Sequence, residues 1–314
     1  MGIKSITAPA SSSFRIVIIT QGEMRHKRFA YRMQQEFGSK VVGWFEVRPG
    51  SVSSVPIAAL GFWGKFKRVF DLLWPNSPNS IRVCRNWTPM GGLRMLKRLL
   101  LRVSVLRVDR MKKRGVEHSE RKILGPEMKS LEKFKVCEPT IIHNHKSDDF
   151  IKKVRELNPY FILTLGGPLY PRALIESASG FAINQHAGWA PQYKGNATVY
   201  WALFHRQLKY LGSTVHLLST GADSGAILQR ANPCVLPSDS PFDCFVRVVA
   251  LGNELMIETV RDIITNGNIR VQPQVEGEGK TYLSREFTHE LTQRLLRDFK
   301  SGWLKMELKR VKSG

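Results

Sequence analysis

Residues 14–47 read FRIVIITQGEMRHKRFAYRMQQEFGSKVVGWFEV. Phe14–Thr20 is a short run dominated by β-branched apolar residues, the pattern of a strand buried on both faces. Met24–Phe37 then places Ala30, Met33 and Phe37 on one helical face, and Gly38 supplies a stop. Val41–Val47 is a second short apolar run. Strand, helix and strand in direct succession make a right-handed crossover between parallel neighbours. The fold class read from this stretch is α/β, with a Rossmann-like, doubly wound, mostly parallel sheet.

The same alternation resumes at Val136. Pro139–His143 reads as a strand, Asp148–Leu157 as a helix and Tyr160–Leu165 as a strand. Gly166-Gly167-Pro168 forces a turn, and Pro171–Ser177 is a short helix. Phe181–His186 is a strand, followed by a loop, a helix over Ala197–His205, and strands over Ser213–Leu218 and Ala226–Cys234. Phe242–Thr265 is a long helix. Beyond Gly267 the chain is polar until a basic helix over Ser284–Lys309. Between the two α/β stretches lies a basic insertion, about residues 50–135, with amphipathic segments at residues 64–74 and Gly92–Arg110. In the latter, Leu93, Leu96, Leu100 and Val103 oppose Arg94, Arg98 and Arg102. The expected organisation is a flexible tail over residues 1–13, a catalytic domain over 14–265 that contains the insertion, and a basic helical C-terminal extension over 266–314.

The formal net charge of +22 is compatible with nucleic acid, an acidic membrane surface or an anionic substrate. Nucleic acid is not the favoured partner. A segment with its apolar face opposite arginines also suits peripheral membrane contact, although a helix packed on the core with a solvated basic face has the same pattern. Cys84, Cys137, Cys234 and Cys244 are widely spaced and contain no Cys-x-x-Cys pair, which argues against a zinc ribbon or a disulfide framework. No metal site is expected. No run approaches the roughly 20 apolar residues of a membrane span, and MGIKSITAPASSSF lacks a signal-peptide core. A cytoplasmic protein with reduced thiols is the expectation, and sheet edges and the C-terminal helix offer surfaces for a homodimer.

The chemistry concentrates between Asn184 and Leu228. Asn184 and His186 are two apart, so a strand points them to one face. They emerge at a carboxyl end, where open α/β sheets bind ligands. Asp223 lies between Gly221 and Gly225, a turn that lets a carboxylate approach a ligand closely. An amide, an imidazole and a carboxylate suit acyl transfer to an amine. The first two stabilise developing charge on oxygen, while the third holds the imidazole or takes a proton through water. Taken singly, Asn184 and Asp223 read as turn residues and His186 as a satisfied ring.

The stretches NQHAGWAPQYKGNATVYWAL and GSTVHLLSTGADSGAILQR resemble the signature of the folate-dependent formyltransferase family. Asn184, His186, Pro191, Gly195, Gly212, Thr214, His216, Asp223 and Gly225 fall on its pattern. The resemblance implies a formyltransferase fold and an enzyme that moves a formyl group from 10-formyltetrahydrofolate to a primary amine. It assigns Asn184 to the formyl oxygen, His186 to oxyanion support, and Asp223 to His186 and a proton-carrying water. It brings the donor's pterin to Leu165, Gly166, Gly167 and Pro168 and to Gly221 and Ala222, although Gly166-Gly167 reads equally as a plain turn. The match covers roughly residues 136–265. Two departures stand out: Gly188 and Trp189 replace a serine and a leucine of the family loop, and the basic insertion exceeds the family's minimal form.

Among the acceptors implied by the resemblance, methionyl-tRNA goes with a β-barrel domain that the helical pattern after Gly267 does not suit. Glycinamide ribonucleotide goes with a glycine-rich first loop, whereas Thr20–His26 has one glycine. A deformylating hydrolase goes with an N-terminal domain. A nucleotide-linked amino sugar is the acceptor expected, with Lys194 and Arg25 facing its phosphates and Asn144 its sugar. Arg25 also reads as the solvated start of a helix, and Asn144 as a helix cap.

Overall fold

The computed structural model describes residues 4–7, 14–48 and 109–313. The first elements are β1 (Lys4–Thr7), β2 (Ile16–Thr20), α1 (Met24–Phe37) and β3 (Val41–Val47). After them come α2 (Gly125–Leu131), β4 (Pro139–Ile142), α3 (Asp148–Glu156), β5 (Phe161–Leu165), α4 (Arg172–Ile175) and β6 (Phe181–His186). The chain continues through β7 (Tyr193–Gly195), α5 (Thr198–Phe204), β8 (Ser213–Leu217), β9 (Ile227–Ala231) and α6 (Pro241–Asn266). It closes with β10 (Asn268–Val271), β11 (Lys280–Tyr282), α7 (His289–Lys300) and α8 (Trp303–Ser313).

Seven strands form the main sheet in the order β4-β3-β2-β5-β6-β8-β9. The first five are mutually parallel, while β8 runs antiparallel to both β6 and β9. The mostly parallel α/β sheet expected from residues 14–47 is therefore present, with β2-α1-β3 as its first crossover. Alternation along β2 divides the core. Ile16 and Ile18 pack with Phe29 and Met33 of α1 and with Met256 and Val260 of α6, whereas Val17 and Ile19 pack with Phe150 and Val154 of α3. All of these side chains are buried, and each contributes about 1.5–3 kcal/mol relative to exposure.

Helix α6 carries strong local signals. Ser240 and Asp243 form a reciprocal capping box, Pro241 starts the helix, and Gly267 ends it in the left-handed region at φ +64°. A buried polar relay joins α1, α6 and β6. Arg28 Nη1 donates to Asn253 Oδ1 at 2.7 Å, and Asn253 Nδ2 donates to Gln185 Oε1 at 2.8 Å. Gln185 Nε2 donates to the Val249 carbonyl at 2.8 Å. Gly252 permits this approach, because a Cβ there would lie 2.2 Å from both Gln185 Nε2 and Ser213 Oγ.

Several boundaries differ from the sequence reading. Residues 50–113 cluster as a unit of their own, and residues 1–49 and 114–314 form the other. The amphipathic segment at 64–74, nearly all of Gly92–Arg110 with its membrane-surface reading, and Cys84 lie outside the described residues. The later part of the expected insertion belongs to the main unit. Residues 114–123 are helical, and Glu120 and Lys122 pair with Arg25 and Asp243. Within the expected tail, Lys4–Thr7 pair antiparallel with β10, so this stretch is a strand rather than free chain. The polar stretch after Gly267 contains two strands, β10 and β11, and β11 pairs in parallel with β7. The single expected C-terminal helix is two, with Gly302 between them at φ +82°. Among the described residues, no helix is long and apolar enough to cross a membrane.

Candidate active site

Thr164, Asn184 and His216 stand opposite one another on β5, β6 and β8. The register sets three polar side chains in a row across the three strands. Thr164 Oγ1 donates to Asn184 Oδ1 at 2.7 Å, and Asn184 Nδ2 lies 3.1 Å from His216 Nε2. Because the threonine hydroxyl occupies the amide oxygen, the Asn184 NH₂ group points along the row. His216 Nδ1 lies 2.8 Å from the Leu217 carbonyl, which only accepts, so this nitrogen carries hydrogen.

His186 is two residues beyond Asn184 on the same face of β6, and its ring meets acceptors on both sides. Nε2 is 2.9 Å from the Tyr193 carbonyl and Nδ1 is 3.2 Å from Asp223 Oδ2. Both contacts are satisfied together when each ring nitrogen carries hydrogen. Asp223 gathers the rest. Its Oδ2 accepts from the Gly195 N–H at 2.8 Å, while Oδ1 lies 3.4 Å from both Asn184 Nδ2 and His216 Nε2. Burial pushes the Asp223 carboxyl up, but the charge of His186, the hydrogen bond and charge of His216 and the Gly195 N–H outweigh it. The net effect holds the carboxyl well below its ordinary 3.8.

Asp223 has a left-handed backbone, φ +47°, which an aspartate adopts at modest cost. Gly225 beside it is required by space, because a Cβ there would fall 1.8 Å from the Leu217 carbonyl oxygen. Gly188, one of the two departures from the family loop, also has a steric reason. A Cβ at that position would lie 2.3 Å from His186 Nε2 and 2.6 Å from Thr198 Oγ1.

Asn184, His186, Gly195, His216 and Asp223 line a cavity of about 590 Å³ at the carboxyl end of the sheet. Asn184, His186 and Asp223 meet in it, and Leu165, Gly166, Gly167, Pro168, Gly221 and Ala222 all line it. Gly166 and Gly167 adopt φ of +53° and +105°. The backbone groups of Gly167 and Ala222 have no backbone partner among the described residues, so they are available to the edge of a planar polar heterocycle. Arg25 and His26 line another part of the wall. Arg25 Nη1 pairs with Glu120 at 2.7 Å, and the guanidinium sits 5.6 Å from the centre of the Phe245 ring. Burial, aided by the Arg25 charge, pushes the His26 imidazole well below its ordinary 6.5, so that ring is neutral.

Two expected contacts stand outside the lining. Lys194 precedes Gly195 on β7, where the backbone rather than the lysine reaches Asp223. Asn144 is exposed after β4, and its Oδ1 accepts from the Lys146 N–H at 3.0 Å. Nor is Asn144 the helix cap, since Ser147 Oγ accepts from the Phe150 N–H at the start of α3. The site also contains groups that received no role in the sequence reading: Thr164, His216, the Gly195 N–H, and Gln274 after β10. His216 carried a signal, because it ends the Gly-x-Thr-x-His pattern. Thr164 and Gln274 become recognisable only once the strands are in register.

The formyl transferase family pattern matches residues 108–260, which include every residue of the Asn184–Asp223 cluster. Methionyl-tRNA formyltransferase of Thermodesulfovibrio yellowstonii is 31% identical over 196 residues, 60% of this chain and 60% of the relative. The Pelobacter propionicus enzyme of the same name is 29% identical over 174 residues, 54% of this chain and 51% of the relative. The chain thus matches between half and three fifths of the length of these curated relatives. A 4-N formyltransferase from Francisella tularensis aligns in structure over 88% of this chain and 79% of its own, with TM-score 0.47 and 14% identity. The formyl transferase family pattern thus covers the region of this chain that holds the site, residues 108–260, just under half of its length.

Proposed function

We propose that this protein transfers a formyl group from 10-formyltetrahydrofolate to a primary amine, and that the amine belongs to a nucleotide-linked amino sugar. The observation that carries the reading is the convergence of Asn184, His186 and Asp223 in one cavity, with the carboxylate touching the other two. The donor supplies an activated formyl carbonyl. Asn184 Nδ2 is the hydrogen-bond donor for the charge that develops on the formyl oxygen, and a protonated His186 reinforces it. As the amine nitrogen bonds the formyl carbon, the bond from that carbon to the folate nitrogen breaks and tetrahydrofolate leaves; Asp223 holds His186 in place and helps pass the amine's proton, through water, to the departing nitrogen. The available backbone groups of Gly167 and Ala222 suit the pterin edge. Arg25, already lining the cavity, supports an acceptor that carries phosphate.

A second acceptor, methionyl-tRNA, is favoured by the names of the curated relatives and by the net charge of +22. The test is incubation with 10-formyltetrahydrofolate and, separately, a panel of nucleotide-linked amino sugars and charged initiator tRNA. A mass gain of one formyl group on a sugar nucleotide supports the first acceptor. A formylated tRNA, with transfer falling steeply as salt rises, replaces it with the second. No formyl transfer to any amine, with the protein folded and the donor intact, overturns the reading.

A further inference from the structure

We propose that Gln274, in the segment following β10, is a positioning residue that clamps Asp223 in its left-handed conformation. The inference rests on the reading of Asp223 as a catalytic group. Gln274 Nε2 donates to the Asp223 carbonyl at 2.8 Å and to the Gly225 carbonyl at 2.7 Å. One amide nitrogen has two hydrogens, so a single side chain bonds two carbonyls of the same turn. Gln274 Oε1 is buried and has no hydrogen-bond partner among the described residues, where the amide is held through its nitrogen.

The turn needs such a hold. Asp223 sits at φ +47°, a conformation that costs a non-glycine residue about 1 kcal/mol or more. Beyond the carboxylate's own contacts to the Gly195 N–H, Asn184, His186 and His216, the side-chain ties within the turn are Ser219 Oγ to Ser224 Oγ at 2.9 Å and Ser219 Oγ to the Gly221 carbonyl at 3.2 Å, both exposed. If the backbone at residue 223 relaxes to the right-handed region, the carboxylate leaves the Gly195 N–H and the His186 ring together. Gln274 lies outside residues 108–260, so the family pattern contains the carboxylate but not its clamp. The segment that brings Gln274 is anchored locally by the Ile227–Gln272 bridge, through two backbone bonds of 2.8 Å.

The experiment uses the full chain with Gln274→Leu, Gln274→Lys and Gln274→Glu. It measures kcat and KM for formyl transfer, the pH profile, and amide exchange at Gly195. Gln274→Leu is expected to lower kcat about 10–100-fold with KM for the formyl donor within about twofold, the pattern of a lost transition-state arrangement. The Gly195 N–H, which donates to Asp223, is expected to exchange about tenfold faster or more. Gln274→Lys keeps a donor at the clamp and is expected to retain most of kcat. Gln274→Glu donates only when protonated, so its activity relative to wild type rises as pH falls, a trend that a purely packing role does not produce. If Gln274→Leu does not fold, the Lys and Glu variants carry the test. Unchanged Gly195 exchange and kcat in Gln274→Leu, or Lys and Glu variants that behave alike at every pH, overturn the clamp. Faster Gly195 exchange in Gln274→Leu, in a protein whose wild type transfers no formyl group, supports the clamp and rejects the formyltransferase reading.

Discussion

Asp223 concentrates the electrostatics of the site, and its environment sets a pH prediction. Its carboxyl is held below the ordinary 3.8 of an unfolded aspartate. The native state therefore favours the carboxylate. The stabilisation is complete above that ordinary value and fades as pH falls from it toward the depressed native value. Urea unfolding of wild type and Asp223→Asn should differ by a constant amount above pH 5, and the difference should shrink toward pH 3. The same substitution should reduce formyl transfer by about 10²–10⁴-fold, because the amide cannot hold His186 as the carboxylate does. An acid limb in the rate profile above pH 5 should survive in the residual activity of Asp223→Asn, since that carboxylate is already ionised there. Gly188 gives a steric prediction. Gly188→Ser places a side chain where a Cβ alone would be 2.3 Å from His186 Nε2. Displacing the ring by about 1 Å should lower kcat by roughly 10²-fold in steady-state assays, with donor KM little changed.

Elements deliver these residues through their ends. β5, β6 and β8 deliver Thr164, Asn184 and His216 as one cross-strand row, so strand register is itself part of the site. β7 delivers a backbone N–H, and it is steadied by parallel pairing with β11. Gly195 fits there at φ +85°, where a Cβ would lie 2.3 Å from the Tyr282 carbonyl oxygen. Helix α6 covers β6 and β8, and its capping box defines where it starts. Ser240→Ala removes the acceptor for the Asp243 N–H and the partner of the Asp243 carboxylate. The expected cost is about 1 kcal/mol in urea unfolding with kcat unchanged, because neither Ser240 nor Asp243 lines the cavity.

At the scale of the whole main unit, Arg28 joins α1 to α6 and α2. It donates to Asn253 inside the core and pairs with Glu127 and Glu254 near the surface. The glutamate side chains retain 38% and 37% of their exposure, so solvent screens those pairs, while the Asn253 contact is buried. Arg28→Leu leaves Asn253 without its donor and should destabilise the protein by about 2 kcal/mol, read as a lowered urea midpoint at unchanged m-value. The long C-terminal segment also belongs to this unit. β10 pairs with β1, Gln272 bridges to Ile227, and Gln274 reaches the Asp223 turn.

The sequence by itself determined the alternation of apolar strands and amphipathic helices, because those periods depend only on neighbouring residues. It also named Asn184, His186 and Asp223, which lie on a recognisable pattern. The pairing of Lys4–Thr7 with Asn268–Val271, the partition of the polar C-terminal stretch into strands and two helices, and the row from Thr164 to His216 were decided by tertiary structure. The same holds for the displacement of Lys194 and Asn144 from the cavity lining and for the arrival of Gln274. Local pattern specifies which way a side chain faces on its own element, but a hydrogen bond between residues distant along the chain depends on sheet order and register, which appear only when the core closes.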